Sequence, residues 1–324
     1  MSSDSIDIST YLGKECYLKS CLMNASGAYC TTHSELYDLE KSKSGAMITK
    51  SMSFFHKDGN PKPRYYHDSD LSINSMGLAN MGHVFYLANA KSVKTKPYIV
   101  SIAALDINQT ISIIQDSIEN PNVAAIEFNI SCPNICQKDT ILAYHYDDLD
   151  NYLKIIEPYI TKANKPFGLK LPPYWEAAQF KNIVQLIIKY KFNFITLINS
   201  VPNCLVIDTE SESPVIKPKN GVGGLGGKFI KPIVLSNIYQ FRQLLPTDIQ
   251  IIGCGGVETG EDVFHHLLAG ASIVQIGTSL MREGPQVFDR IEKELLDIMR
   301  QKQYTNLNQI IGKIKYNTPS HYDY

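Results

Sequence analysis

Cys132 stands in the segment Phe128-Asn129-Ile130-Ser131-Cys132-Pro133-Asn134, where an apolar run gives way to a polar loop. An ionised thiol placed there can remove a proton from carbon, and the ordinary cysteine pKa of about 8.5 falls readily near cations. Two lysines occupy comparable positions: Lys170 follows Phe167-Gly168-Leu169, and Lys50 follows Ala46-Met47-Ile48-Thr49. Lysine is seldom buried without a partner, and a fixed ammonium at the edge of a core stabilises an anion, whether a substrate carboxylate or a reduced ring system. Amides and hydroxyls accumulate in similar places. Asn74 opens Asn74-Ser75-Met76-Gly77-Leu78 in a long polar insertion, and Asn129, Asn134, Asn199 and Ser200 close apolar runs. That density of donors and acceptors suits a small ligand with alternating C=O and N–H groups, such as a pyrimidine. Each residue also has a plainer reading. A lone cysteine beside a Pro-Asn turn is often only a packing residue, a lysine at a misplaced strand end is a surface lysine, and an asparagine commonly forms an Asx-turn or caps a helix.

The groups come together if one structural unit repeats. Besides 124–128, the apolar runs 21–23, 46–49, 98–100, 167–169, 194–198, 249–252 and 272–276 all end in small, amide, hydroxyl or cationic residues, and read as buried strands. Between them, 111–118, 149–160, 177–190, 261–269 and 285–299 return apolar residues every three or four positions, the period of an amphipathic helix. Eight strand–helix units in succession predict an α/β fold, a single (β/α)8 TIM barrel with insertions at the mouth where the strand C-termini converge.

Composition agrees. A chain of 324 residues suits one barrel of about 250 residues plus insertions, and no linker, repeat or charge block marks a second unit. The expected organisation is a catalytic barrel over 1–315 and a polar tail over 316–324. Hydrophobic content of 44% supports a large core, and a net charge of -1 gives no footprint for nucleic acid or an anionic membrane. The N-terminus is polar and acidic, unlike a signal peptide, and no run approaches the ~18 apolar residues of a membrane span, so a cytoplasmic location is expected. Seven cysteines (16, 21, 30, 132, 136, 204, 254) are scattered without a Cys-x-x-Cys pair, so reduced thiols and no metal site are expected.

Three glycine clusters are candidate anion cradles: Gly223-Gly224-Leu225-Gly226-Gly227 before a helix near 230–244, Gly255-Gly256 after the seventh strand, and Gly277-Thr278 after the eighth. Each taken singly is equally a turn, but barrels commonly bind phosphate after strands seven and eight. No Gly-x-Gly-x-x-Gly follows the first strand and no Walker sequence is present, so a mononucleotide cofactor fits better than a dinucleotide.

Taken in order, Asn24-Ala25-Ser26-Gly27, Ile48-Thr49-Lys50-Ser51, Gly59-Asn60-Pro61-x-Pro63-Arg64-Tyr65, Ile73-Asn74-Ser75-Met76-Gly77-Leu78, Asn129-x-Ser131-Cys132-Pro133-Asn134, Phe167-Gly168-x-Lys170-x-Pro172-Pro173, Ile216-Lys217-Pro218-Lys219 and Gly253-Cys254-Gly255-Gly256-Val257 form a pattern that resembles the class 1A dihydroorotate dehydrogenases over about 23–315. The resemblance implies an FMN-containing homodimer that oxidises dihydroorotate to orotate in pyrimidine synthesis and passes the electrons to fumarate, in a ping-pong cycle. Class 2 members have serine in place of Cys132 and an N-terminal membrane-associating segment; class 1B members keep the cysteine, but the Asn-Pro-x-Pro-Arg-Tyr and Ile-Lys-Pro-Lys segments look like class 1A.

The resemblance also implies roles. Cys132 would be the base, Lys170 would stabilise charge on the reduced flavin, and Lys50 would bridge flavin and substrate. Ala25, Ser26, Ser51, Asn129, Ile198, Gly227, Cys254, Gly255, Gly256, Gly277 and Thr278 would line the FMN site. Asn74, Ser75, Met76, Gly77, Leu78, Asn129, Asn134, Asn199 and Ser200 would orient the pyrimidine and its carboxylate. The chain departs from the family pattern at Ile135-Cys136-Gln137-Lys138-Asp139-Thr140, Val201-Pro202-Asn203-Cys204, Ala79 and Val222, which bears on loop closure, rate and acceptor preference. Open alternatives are the same oxidation with NAD or a quinone as acceptor, a dihydrouridine synthase acting on tRNA, and a catalytically silent paralogue.

Overall fold

The computed structural model describes residues 6–103, 105–131 and 140–315. Cys132, Asn134 and the tail 316–324 lie outside the described residues. Eight parallel strands form the central sheet: β1 (Leu22–Asn24), β2 (Met47–Ile48), β3 (Tyr98–Ala103), β4 (Ala125–Asn129), β5 (Phe167–Leu171), β6 (Phe194–Leu197), β7 (Gln250–Cys254) and β8 (Ile273–Ile276). Their order, β1-β8-β7-β6-β5-β4-β3-β2, is that of a (β/α)8 barrel, and each coincides with an apolar run of the sequence.

Helices α1 (His33–Lys41), α2 (His83–Asn89), α3 (Ile107–Glu119), α4 (Tyr146–Lys162), α5 (Ala177–Lys189), α6 (Lys231–Leu244), α7 (Gly260–Ala269), α8 (Thr278–Glu283) and α9 (Val287–Gln301) surround it. Their faces follow the apolar period: α9 buries Val287, Phe288, Ile291, Leu295 and Met299. Periodicity does not announce α1, which buries only Leu36 and Leu39, yet Thr32 and Glu35 form a reciprocal capping box at its start.

The closing seam, between β1 and β2, is made differently from the other junctions. One parallel bridge joins Met23 to Ala46. Beyond it the buried Asn24 side chain replaces the ladder: Ile48 N donates to Oδ1 at 2.9 Å, and Nδ2 donates to Ile48 O at 2.8 Å. Asn24→Ala would strand both backbone groups of Ile48, at about 1–3 kcal/mol each. The expected result is a stability loss of about 2–6 kcal/mol in urea unfolding; an unchanged midpoint would show that the seam does not depend on this amide.

Inside the barrel, strand alternation sorts the side chains into layers. The floor is apolar: Met23, Ile48, Ile99, Ala125, Phe194, Ile252 and Ile273 pack with Leu12 and Leu18, which come from the antiparallel hairpin Thr10–Leu12/Cys16–Leu18 beneath. Gly168 belongs to this level because a Cβ there would lie 2.4 Å from the Phe194 ring. Two residues further along their strands stand Ser101, Glu127, Lys170, Thr196 and Gln275, all buried and polar. The mouth begins above them.

Four antiparallel strands lie over that mouth, in the order Val201–Leu205, Val222–Gly227, Leu71–Asn74, Tyr65–His67. The glycine cluster 223–227, a candidate anion cradle in the sequence, lies in the second of these strands. The segment is a strand, and its glycines answer to close backbone approach: a Cβ on Gly223 would lie 2.6 Å from Asn74 O, and one on Gly224 would lie 2.1 Å from Ser200 Oγ. Of the cluster, Gly227 takes a positive φ of 86° as the strand turns into the short helix Lys228–Ile230.

Candidate active site

A cavity of about 700 Å3 opens at the C-terminal ends of the barrel strands, beneath the four-stranded sheet. Its size lies in the upper range of ligand and cofactor pockets, about 300–1,000 Å3. Ala25 and Ser26 enter it just after β1, and Lys50 and Ser51 just after β2. Asn129 ends β4 and Lys170 stands one residue before the end of β5. Ile198, Asn199 and Ser200 follow β6, Cys254, Gly255 and Gly256 close β7, and Gly277 and Thr278 follow β8. From the covering sheet and its loop come Asn74, Ser75, Met76, Gly77, Leu78 and Gly227. All the described residues offered as catalytic, cofactor-binding or substrate-binding therefore border one cavity.

Hydrogen bonds fix several of them. Lys170 is 4% exposed, and its Nζ donates to Gln275 Oε1 at 3.0 Å. The Gln275 amide nitrogen is itself buried without a hydrogen-bond partner among the described residues. Ser131 Oγ donates to Lys170 O at 2.8 Å, tying β5 to the residue that precedes Cys132 in the sequence. Asn129 Nδ2 donates to Ser51 Oγ at 3.0 Å, and its Oδ1 accepts from Ser131 N at 3.1 Å. Asn74 Nδ2 donates to Gly224 O at 3.2 Å, which joins the two strands of the cover. Thr278 Oγ1 lies 2.8 Å from Ser72 Oγ, linking the cover to the end of β8.

Of the described thiols, Cys254 borders the cavity, whereas Cys30 is buried and does not line it. Burial pushes the Cys30 thiol up to about 12, which removes it from proton chemistry near neutral pH. No group of three or more His, Cys, Asp or Glu side chains that could hold a metal occurs among the described residues. No described helix is long and apolar enough to cross a membrane.

Sequence reasoning missed other lining residues, among them Ser72, Tyr144, His145 and Glu258. Ser72 had a usable signal in its place two residues before Asn74, on the same side of a strand. Tyr144 and His145 belong to a short turn before α4 with no motif of their own.

Strand ends, polar side chains and a covered cavity define a barrel enzyme with its site at the conventional face. The model of the dihydroorotate dehydrogenase family matches residues 11–299. A putative dihydroorotate dehydrogenase A (fumarate) of Streptococcus equi is 44% identical over 301 residues, 92% of this chain and 95% of that protein. The dihydroorotate dehydrogenase (fumarate) of Saccharomyces bayanus is 44% identical over 297 residues, 90% of this chain and 93% of that protein. The fold is shared with the ligand-free dihydroorotate dehydrogenase of Eimeria tenella, with a TM-score of 0.78 at 19% identity, covering 97% of this chain and 93% of that one. The chain belongs to the dihydroorotate dehydrogenase family, in its class 1A branch. That assignment decides against the dihydrouridine synthase reading.

Proposed function

We propose that this chain oxidises dihydroorotate to orotate in pyrimidine synthesis with FMN as cofactor, and returns the electrons to fumarate, giving succinate, in a ping-pong cycle. It would work as a cytoplasmic homodimer. The observation that carries the reading is the convergence of Lys50, Lys170, Asn74, Asn129 and Asn199 on one cavity.

The residues present fit FMN. Lys170 and the unpaired amide N–H of Gln275 supply a buried cation and a donor. Gly255 and Gly256, with φ of 122° and 70°, turn the backbone where side chains have no room: a Cβ on Gly256 would lie 2.5 Å from Lys231 Cβ. Their N–H groups, with those of Gly277 and Thr278 and the Thr278 hydroxyl, would hold the phosphate. Ala25, Ser26, Ser51, Asn129, Ile198, Gly227 and Cys254 would flank the ring and ribityl chain.

When bound, FMN supplies the hydride acceptor for C6 of dihydroorotate and the hydride donor to fumarate. Cys132, as thiolate, would take the proton from C5 and later return one to fumarate. Asn74, Ser75, Met76, Gly77, Leu78, Asn129, Asn134, Asn199 and Ser200 would orient the pyrimidine and its carboxylate. Lys50 would reach both ligands, and Lys170 would hold positive charge where the ring becomes anionic.

The test is the visible spectrum of the purified protein under anaerobic conditions, before and after dihydroorotate and then fumarate. The flavin band is expected to bleach with the first and return with the second. Bleaching without return would move the acceptor to NAD or a quinone, and failure to bind FMN on reconstitution would overturn the cofactor assignment.

A further inference from the structure

Glu127 is the one charged residue in the apolar run 124–128, and in the fold it is enclosed within the barrel at 0% exposure. The chemistry proposed above does not use it. Thr196 Oγ1 donates to its Oε2 at 2.7 Å, across the intervening strand β5, and Ser101 Oγ donates to its Oε1 at 3.3 Å. Ser101 Oγ lies 2.9 Å from Ser51 Oγ, to which Asn129 Nδ2 donates. An unbroken set of contacts thus joins a carboxylate in the closed interior to an amide at the mouth. Lys170, the strand partner of both Asn129 and Thr196, brings an ammonium into the same interior.

We infer that Glu127 is a positioning residue for Asn129, acting through Ser101 and Ser51 as a one-directional chain of hydroxyls. The direction follows from counting protons. A carboxylate only accepts, and a serine hydroxyl has one proton to give. Ser101 gives its proton to Glu127, so the proton between Ser101 and Ser51 belongs to Ser51. Ser51 has then none left and can only accept from Asn129. Ser26 Oγ, 3.2 Å from Ser51 Oγ, sends its own proton to Thr49 O and leaves this direction unchanged. The Asn129 amide is accordingly held with its NH2 toward Ser51 and its oxygen toward Ser131 N. Its second N–H is the donor left for a ligand. Ser131 N, which can only donate, holds the oxygen end of the amide, and the buried glutamate keeps Ser51 an acceptor at the other end, so that both contacts agree on a lining residue that offers a donor, which suits a carbonyl oxygen of the ligand.

The inference rests on the reading that Asn129 touches the pyrimidine, and the test separates the two. Orotate is titrated into FMN-loaded protein and its Kd read from the flavin absorbance change, for wild type, Asn129→Ala, Glu127→Gln, and Glu127→Gln in the Asn129→Ala background. In Glu127→Gln one carboxylate oxygen becomes a donor, and the chain loses its direction. Glu127→Gln is expected to weaken orotate about tenfold, yet by less than about twofold once Asn129 is already alanine. Ser101→Ala, which removes a single buried hydroxyl, is expected to match Glu127→Gln and carries the test if the glutamine variant does not fold. A loss with Asn129→Ala but none with Glu127→Gln or Ser101→Ala overturns the chain and leaves the site reading in place. Equal losses in both backgrounds overturn it as well, since they mark a general structural effect. Wild-type binding by Asn129→Ala overturns the contact and the inference together.

Discussion

Cys132→Ala is expected to retain FMN while its reduction by dihydroorotate slows by about 10²–10⁴-fold, the usual range for a positioned general base. The cofactor should stay because the groups proposed to hold it come from β4, β5, β7 and β8, from the turns after β1, β2 and β6 and from the covering sheet, and the substitution removes none of them. Reduction should fall because the C5 proton loses its acceptor while hydride transfer from C6 still requires that proton to leave. Residual reduction should rise with pH as hydroxide substitutes for the thiolate. Anaerobic stopped-flow in the visible flavin band measures both effects; wild-type reduction by the alanine variant would reject Cys132 as the base. Cys132→Ser distinguishes basicity from size. A hydroxyl of similar volume is a far weaker base near neutral pH, so serine should recover little of the rate.

Lys170→Met should be the second large effect. Methionine fills nearly the same space inside the barrel and removes only the ammonium, so what is lost is charge and one hydrogen bond to Gln275. A preorganised cation beside a developing anion contributes about 10²–10³ in rate, and reduction by dihydroorotate is expected to slow by that factor. Unlike the cysteine variant, this one should also lower the flavin reduction potential, because the ammonium favours the anionic reduced ring at equilibrium. Potentiometric titration with a reference dye separates the two cases. An unchanged potential would show that Lys170 does not face the ring.

The barrel was legible because its strands are continuous apolar runs ended abruptly by small and polar residues, a pattern produced by burial on both faces. The site was legible for a related reason: strand ends are where the fold delivers side chains to one mouth, so Asn129, Lys170 and Cys254 are located once the strands are. The covering sheet was not. Its strands are short, and Val222–Gly227 contains four glycines, so neither β-branched residues nor alternation marks it as a strand; the contacts that require glycine come from Asn74 and Ser200, far away in sequence. Glu127 was hidden for the opposite reason. Within an apolar run it reads as an interruption, and only the partners Ser101 and Thr196 on other strands make it part of a network.

The seam between β1 and β2 places the site on a joint. Ala25 and Ser26 stand on one lip and Lys50 and Ser51 on the other, and Ser26 Oγ already reaches across to Thr49 O at 2.9 Å. Elsewhere around the wall, consecutive backbone hydrogen bonds zip neighbouring strands; here one bridge and two side chains act as stitches. A ligand that touches both lips is then also a clasp, and an empty mouth leaves the wall weakest where it must grip. Occupancy and the integrity of the barrel become one quantity seen from two sides.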